Sequence, residues 1–165
     1  MKLAITGTPG TGKTTLAKSI AELLGLPLIQ ANELAKENGL VQTDGSVNTQ
    51  QLHDFLLEKI KKESGFVVEG HLLCEFALPV DYCLVLRCNP VQLEERLRKR
   101  GYEAEKLRDN LECEALDYCL VNAEGHYDCV VQLDNTLFLT AKEALRRLNS
   151  GDEVRWSLDD FGQKA

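Results

Sequence analysis

Gly7-Thr8-Pro9-Gly10-Thr11-Gly12-Lys13-Thr14 satisfies the pattern G-x-x-x-x-G-K-[ST] at every fixed position. Glycines at these places let successive backbone N–H groups turn toward an anion without Cβ clashes. A helix starting near Lys13 adds the positive end of its dipole to the same spot. In such a loop Lys13 reaches the β- and γ-phosphates of ATP and the Thr14 hydroxyl ligates Mg²⁺. Gly10, Gly12 and Thr15 complete the phosphate contacts, with Thr15 directed at the α-phosphate. A chance glycine turn is the plain alternative. The apolar run KLAIT before the loop and the helical pattern after it argue against that alternative.

A second chemical feature lies between residues 96 and 108. Arg96, Arg98, Lys99, Arg100, Lys106 and Arg108 stand against Glu103 and Glu105, a local net of +4 in a chain whose overall charge is −7. A solvated helix face is the ordinary meaning of such a run. Its place after the fourth strand gives it another, because small P-loop kinases put an arginine-rich lid there and phosphoryl transfer is mainly charge neutralisation and alignment. Arg96 and Arg100, four apart on one helical face, are expected to stack on adenine and clamp phosphates, with Arg108 joining from a mobile segment.

The elements that must carry these groups alternate. KLAIT (2–6), PLIQ (27–30), FVVEG (66–70), DYCLVLRC (81–88) and YDCVVQLD (127–134) read as short buried strands. Helical patterns separate them: one from Lys13 ending at Gly25, a short helix and a helix of about 49–63, one opened by Asn89-Pro90, one running to about Glu124, and a last one from Thr140. The expectation is α/β: a P-loop three-layer sandwich with a five-stranded parallel sheet and a helical insertion between strands two and three. One domain spans 1–165. The tail VRWSLDDFGQKA is too polar for an element of its own, and either packs through Trp156 or stays loose.

Composition narrows the class. No apolar run approaches the about 18 residues needed to cross a bilayer, and Met1-Lys2 leads directly into a strand without a signal-peptide pattern, so a cytoplasmic location and no membrane are expected. The acidic balance makes RNA contact indirect or weak and suits a basic protein partner. The six cysteines include no C-x-x-C pair, which speaks against zinc, and Cys83, Cys88 and Cys129 are expected in the core. His53 and His126 read as surface residues. No N-K-x-D base-reading motif of a GTPase is present, and FVVEG is a shortened form of the acidic strand of ATP-driven motors.

At TGTPGTGKTTLA, VVEGHLL and VLRCNPVQLEERLRKRGYEAEKLRDNLECEAL the chain resembles nucleoside monophosphate kinases. More narrowly, it is similar to the adenylate kinase isoenzyme six family, also called coilin-interacting nuclear ATPase, through residue 124 or so. The resemblance implies phosphoryl transfer from ATP to AMP with ATPase activity. It also implies a part in small ribosomal subunit maturation through a basic platform ribosomal protein. Carried over by position, residues 30–53 form the monophosphate-binding arm, residues 99–109 form the lid, and Arg100 contacts ATP. Glu69 and His71 occupy the family's acid-x-histidine motif, the acid holding Mg²⁺ through water and the histidine positioning a water or phosphate. Two departures stand out: residues 31–65 contain no arginine, and the third strand ends E-G-H-L-L rather than in D-G-x-P-R. The acceptor phosphate would then fall to Lys36 or Arg87. An ATPase assembly factor without monophosphate kinase activity is one alternative, and a small-metabolite kinase of the shikimate or gluconate type is another.

Overall fold

The computed structural model describes residues 1–156. β1 (Lys2–Thr6), β2 (Leu28–Gln30), β3 (Phe66–Glu69), β4 (Tyr82–Arg87) and β5 (Val130–Asp134) form one sheet, every pairing parallel, in the order β2-β3-β1-β4-β5. β1 therefore has β3 on one side and β4 on the other. The loop leaving its C-terminal end opens into the crevice where strand order reverses, the usual ligand site of such sheets. The register brings Gln30 and Ile5 level with Glu69, so the ends of three strands meet at one edge.

Both faces of the sheet are covered, because residues alternate sides along each strand. Leu3, Ile5, Val67, Leu84 and Leu86 pack on Leu16 and Ile20 of α1 (Lys13–Leu24) and on Ala144 of α7 (Ala141–Arg147). Ala4, Val68, Cys83 and Val85 pack on the other side, against α2 (Ala31–Glu37), α3 (Thr49–Ile60) and α6 (Tyr118–His126). α4 (Pro90–Lys99) and α5 (Ala104–Ala115) close a small third cluster of Cys88, Leu93, Leu97 and Leu107. The three-layer P-loop sandwich expected from the sequence is present, with α2 and α3 forming the insertion between β2 and β3. Among the described residues no helix is long and apolar enough to cross a membrane.

The caps follow sequence. Asn89 accepts from the Val91 N–H and places Pro90 in the first turn of α4, and Asn48 accepts from the Gln51 N–H to start α3. Thr140 and Glu143 form a reciprocal capping box on α7. Between α2 and α3, Asp44 accepts from the N–H and hydroxyl of Ser46, and Val41 and Val47 pair in an antiparallel bridge.

Four expectations change. The helix expected to continue to Glu124 is interrupted, because Asp117 adopts φ 55° and its carboxylate accepts from Arg87. His71–Glu75 forms a 3₁₀ turn not read from the sequence. Cys129 is exposed, not in the core, since β5 starts one residue later. His53 is half-buried, hydrogen-bonded through Nε2 to the Ala77 carbonyl and packed on Phe76, whereas His126 is exposed. Trp156 does pack inward, and residues 157–165 of the expected tail lie outside the described residues.

Leu56 anchors α3 and is fully buried among Leu52, Ile60 and Val68. Leu56→Ala is expected to lower unfolding free energy by about 2–5 kcal/mol in urea titrations, the range for a buried leucine leaving a cavity.

Candidate active site

The loop between β1 and α1 is shaped by close packing from two sides. Gly10 has φ 95°, and a Cβ there would lie 2.8 Å from Leu93 Cδ1 of α4. Gly12 has φ 97°, and a Cβ there would lie 2.5 Å from Asn135 Nδ2. That amide group donates to the Thr11 carbonyl at 2.7 Å and so fixes the loop from the β5 side. α1 has no side-chain cap at Gly12, which leaves the N–H groups of its first turn for an anion.

The side chains of the loop converge with those at the strand ends. Lys13 Nζ donates to the carbonyls of Gly7 (2.8 Å) and Thr8 (3.0 Å), and burial pulls its pKa below the ordinary lysine value. The Thr14 hydroxyl donates to Glu69 Oε1 at 3.0 Å, and Gln30 Nε2 donates to the same oxygen at 3.3 Å. Glu69 is buried at the end of β3, whereas Thr14 is exposed to the crevice. An alcohol and a carboxylate side by side are the hard oxygen donors Mg²⁺ takes in phosphate-binding sites. His71 follows Glu69 across Gly70 and opens the 3₁₀ turn, its carbonyl accepting from the Thr6 and Cys74 side chains. Burial first, and then the nearby charges of Lys13 and Lys106, lowers the His71 pKa to about 4, so its imidazole is neutral near pH 7.

These groups line one cavity of about 470 Å³, a size that holds small ligands. Thr8 to Gly10 and Gly12 to Thr15 of the loop, Glu69 and His71 form one part. Asn32 of α2, Gly45 of the following turn, Glu75 and Tyr118 form another, and Arg100, Tyr102, Lys106 and Asn110 close it from the region of α5. Tyr118 Oη donates to Glu75 Oε1 at 2.6 Å, and Lys106 lies 4.6 Å over the Tyr102 ring. None of Asn32, Glu75, Tyr102, Lys106, Asn110 or Tyr118 was singled out in sequence as a site residue. Asn32 falls within the arm expected at 30–53, Tyr102 and Lys106 within the lid expected at 99–109 and Asn110 just beyond it, whereas Glu75 and Tyr118 lie in segments no expectation covered.

The structure brings Gly10, Gly12, Lys13, Thr14, Thr15, Glu69, His71 and Arg100 to this cavity and sends three arginines elsewhere. Arg96 and Arg100 do not act as a pair on one face, because α4 ends at Lys99 and Arg100 is already its cap. Arg96 instead donates to the carbonyls of Gly10 (3.4 Å), Asn135 (3.3 Å) and Thr136, with its guanidinium 4.0 Å from the Phe138 ring. It stacks on a protein ring and ties the loop to the β5–α7 connection. Arg108 is exposed on α5, 3.8 Å from Glu112, and is not among the cavity-lining residues. Arg87 is 1% exposed beneath the loop and is held by Glu114, Gln132 and Asp117, so it is not free to meet an acceptor phosphate. Lys36 is exposed and paired with Glu33.

A family described as AAA domain matches residues 3–117. A Pyrococcus furiosus protein named "Putative adenylate kinase" is 34% identical over 98% of this chain and 91% of its own length. The chain belongs to this archaeal P-loop kinase family. Proteins of the same name from Methanocaldococcus jannaschii (38% identical, 82% of this chain and 77% of theirs) and Archaeoglobus fulgidus (41% identical, 82% and 74%) are further relatives. Among solved structures, deoxyadenosine kinase from M. mycoides with bound dATP superposes with TM-score 0.62 at 18% identity, covering 91% of this chain and all of that one. Shikimate kinase from Bacteroides thetaiotaomicron gives 0.60 at 19% identity, covering 80% and 86%. These two likenesses establish the shared fold.

The half-buried His71 gives a pH test of the geometry. Its pKa near 4 in the folded chain and 6.5 when exposed means that the unfolded chain alone binds the proton between those values. Its contribution to stability is therefore complete above about pH 6.5 and is lost as pH falls toward 4. NMR titration of the imidazole is expected to give a midpoint near 4 that moves up when a triphosphate supplies negative charge. A midpoint near 6.5 in the free protein contradicts the burial.

Proposed function

We propose that the chain is an ATP-dependent nucleoside monophosphate kinase converting ATP and AMP to two ADP, with ATP hydrolysis when water takes the acceptor's place. The observation that carries this reading is the single cavity in which the phosphate loop and the Thr14–Glu69 pair share space with Asn32 and Gly45 of the insertion. Donor and acceptor phosphates in one closed space are what in-line transfer needs. The name of the archaeal relatives supports AMP as the acceptor.

In this reading the N–H groups of the loop, Gly10 and Gly12 among them, and of the first turn of α1 hold the triphosphate, the two glycines allowing the positive φ and close packing that give the loop its curve. Lys13 leaves its two carbonyl partners for the β- and γ-oxygens, and Thr15 holds the α-phosphate. Thr14 and Glu69 hold Mg²⁺, which when bound neutralises charge on the phosphate oxygens. Residues 99–109 act as the lid, in which Arg100 and Lys106 bring positive charge to the transferring group. Arg108 reaches the nucleotide only if that segment closes further. Neutral His71 hydrogen-bonds a water or the acceptor phosphate and does not act as a fixed cation. Residues 30–53 form the acceptor arm, and closure excludes water.

The acceptor part of the cavity favours a second reading to the extent that it offers Glu75 and no arginine from residues 31–65. A weakly held monophosphate leaves water as the effective acceptor, which suits an ATPase assembly factor. The resemblance to isoenzyme six and the net charge of −7 support a basic ribosomal protein of the small-subunit platform as its partner, in maturation of that subunit in the cytoplasm. Salt-sensitive capture of that protein tests the partner. The likeness to shikimate kinase is one of fold, and shikimate belongs in the assay as a rival acceptor.

The kinase reading is tested by product stoichiometry with AMP, CMP, UMP or shikimate. Two ADP per ATP consumed with AMP is the expected result, and an ADP yield that ignores AMP overturns it. Lys13→Ala is expected to lower turnover about 10²–10³-fold or more, in line with losing a donor to the developing charge, with the circular dichroism spectrum intact. Unchanged turnover removes the site assignment.

A further inference from the structure

Glu114, on the last turn of α5, is 2% exposed and does not line the cavity. Its carboxylate gathers four donors from three parts of the chain. Oε2 accepts from the Thr8 hydroxyl of the phosphate loop at 2.6 Å. Oε1 accepts from Arg87 Nε (2.9 Å) and the Cys88 N–H (3.0 Å) at the end of β4, and from Trp156 Nε1 (3.1 Å) of the C-terminal segment. A carboxylate has about four acceptor positions; here three donors crowd Oε1 and the Thr8 hydroxyl alone occupies Oε2.

Thr8 passes this hold onward. Its own carbonyl accepts from Lys13 Nζ at 3.0 Å and from the Thr11 hydroxyl at 2.8 Å. The chain of contacts thus runs from Glu114 through Thr8 to the lysine that the proposed function places on the transferring phosphates. In the other direction, Glu114 shares α5 with Lys106 and Asn110, which line the cavity. One stiff helix has its first turns in the site and its last turn hydrogen-bonded to the phosphate loop.

We propose that Glu114 is a positioning residue acting through Thr8: it sets the curve of the phosphate loop relative to the helix that bears Lys106. This rests on the reading of the loop as the ATP site and extends it to Glu114, which lies outside the cavity, and to the Thr8 hydroxyl, which is turned to Glu114 although Thr8 lines the cavity. The ion pair with Arg87 accounts for a carboxylate at this depth. It does not require that one of its oxygens be spent on a hydroxyl of the loop.

The test separates the loop contact from the ion pair. Thr8→Val keeps the side-chain shape and removes the hydroxyl, while Thr8→Ser keeps the hydroxyl. Trp156→Phe removes a donor to Glu114 on the side away from the loop. Steady-state release or transfer of the γ-phosphate, MgATP binding by calorimetry and thermal midpoints are measured for each. Thr8→Val is expected to lower kcat about tenfold or more, the scale of a small misplacement of reacting groups, with the KM for ATP changed less. Thr8→Ser is expected to restore kcat, and Trp156→Phe to lower the thermal midpoint with kcat retained. Thr8→Ala is read in the same way if the valine variant does not fold. The proposal is overturned if Thr8→Val loses stability and keeps kcat, or if Thr8→Ser falls as far as Thr8→Val. A wild-type chain that hydrolyses ATP and ignores AMP would remove the kinase reading, yet the same variants would still report on Thr8 through hydrolysis.

Discussion

Arg87 and Glu114 form an ion pair in which both side chains are 2% exposed, at the point where β4, the phosphate loop and α5 meet. Two charges at that depth are tolerable only with nearly complete hydrogen bonding, since desolvation would otherwise exceed their attraction. The surrounding structure meets that condition. Arg87 donates to Gln132, Asp117 and the Glu114 carbonyl, and Glu114 accepts from Thr8, Cys88 and Trp156. Each of these contacts fixes a different element. Asp117 turns the chain between α5 and α6, Gln132 belongs to β5, and Thr8 belongs to the loop. Through the Thr8 hydroxyl on Glu114 Oε2 the phosphate loop is joined to this buried pair.

Above that pair the site concentrates positive charge where the sheet cannot supply any. The strands end in Thr6, Gln30, Glu69, Arg87 and Asp134, and Arg87, the cation among them, is taken up by Glu114, so the cations of the cavity come from the loop and from the α4–α5 region. Lys13 is held by burial in a state that gives up its proton more readily than an exposed lysine, and its charge helps keep His71 neutral. An incoming polyphosphate would reverse both tendencies, because anionic oxygens favour the protonated forms. Charge in this cavity is therefore arranged to be completed by the ligand.

The parts of this molecule that rest on local rules were legible in its sequence. The loop is fixed by spacing, the strands by short apolar runs, and the start of α4 by Asn89-Pro90. Where a tertiary contact decides, local reading failed. Asp117 breaks a helix because Arg87 needs its carboxylate, and nothing within residues 104–126 announces that demand. Arg96 and Arg100 look equivalent at a spacing of four until the helix ends between them. Arg87 carried a usable signal, a charged residue inside a buried strand run, which calls for a buried partner. Glu75 and Tyr118 carried none, because two distant segments bring them together.

Membership of an archaeal P-loop kinase family and a cavity shared by loop and insertion lead to one central claim, that the γ-phosphoryl group passes to a monophosphate held beside it. The fate of that group tests the claim most directly. With γ-labelled ATP and saturating AMP, the label is expected in the β-position of ADP, with inorganic phosphate a minor product. Label appearing only as inorganic phosphate, whether or not AMP is present, would contradict the account and leave water as the acceptor.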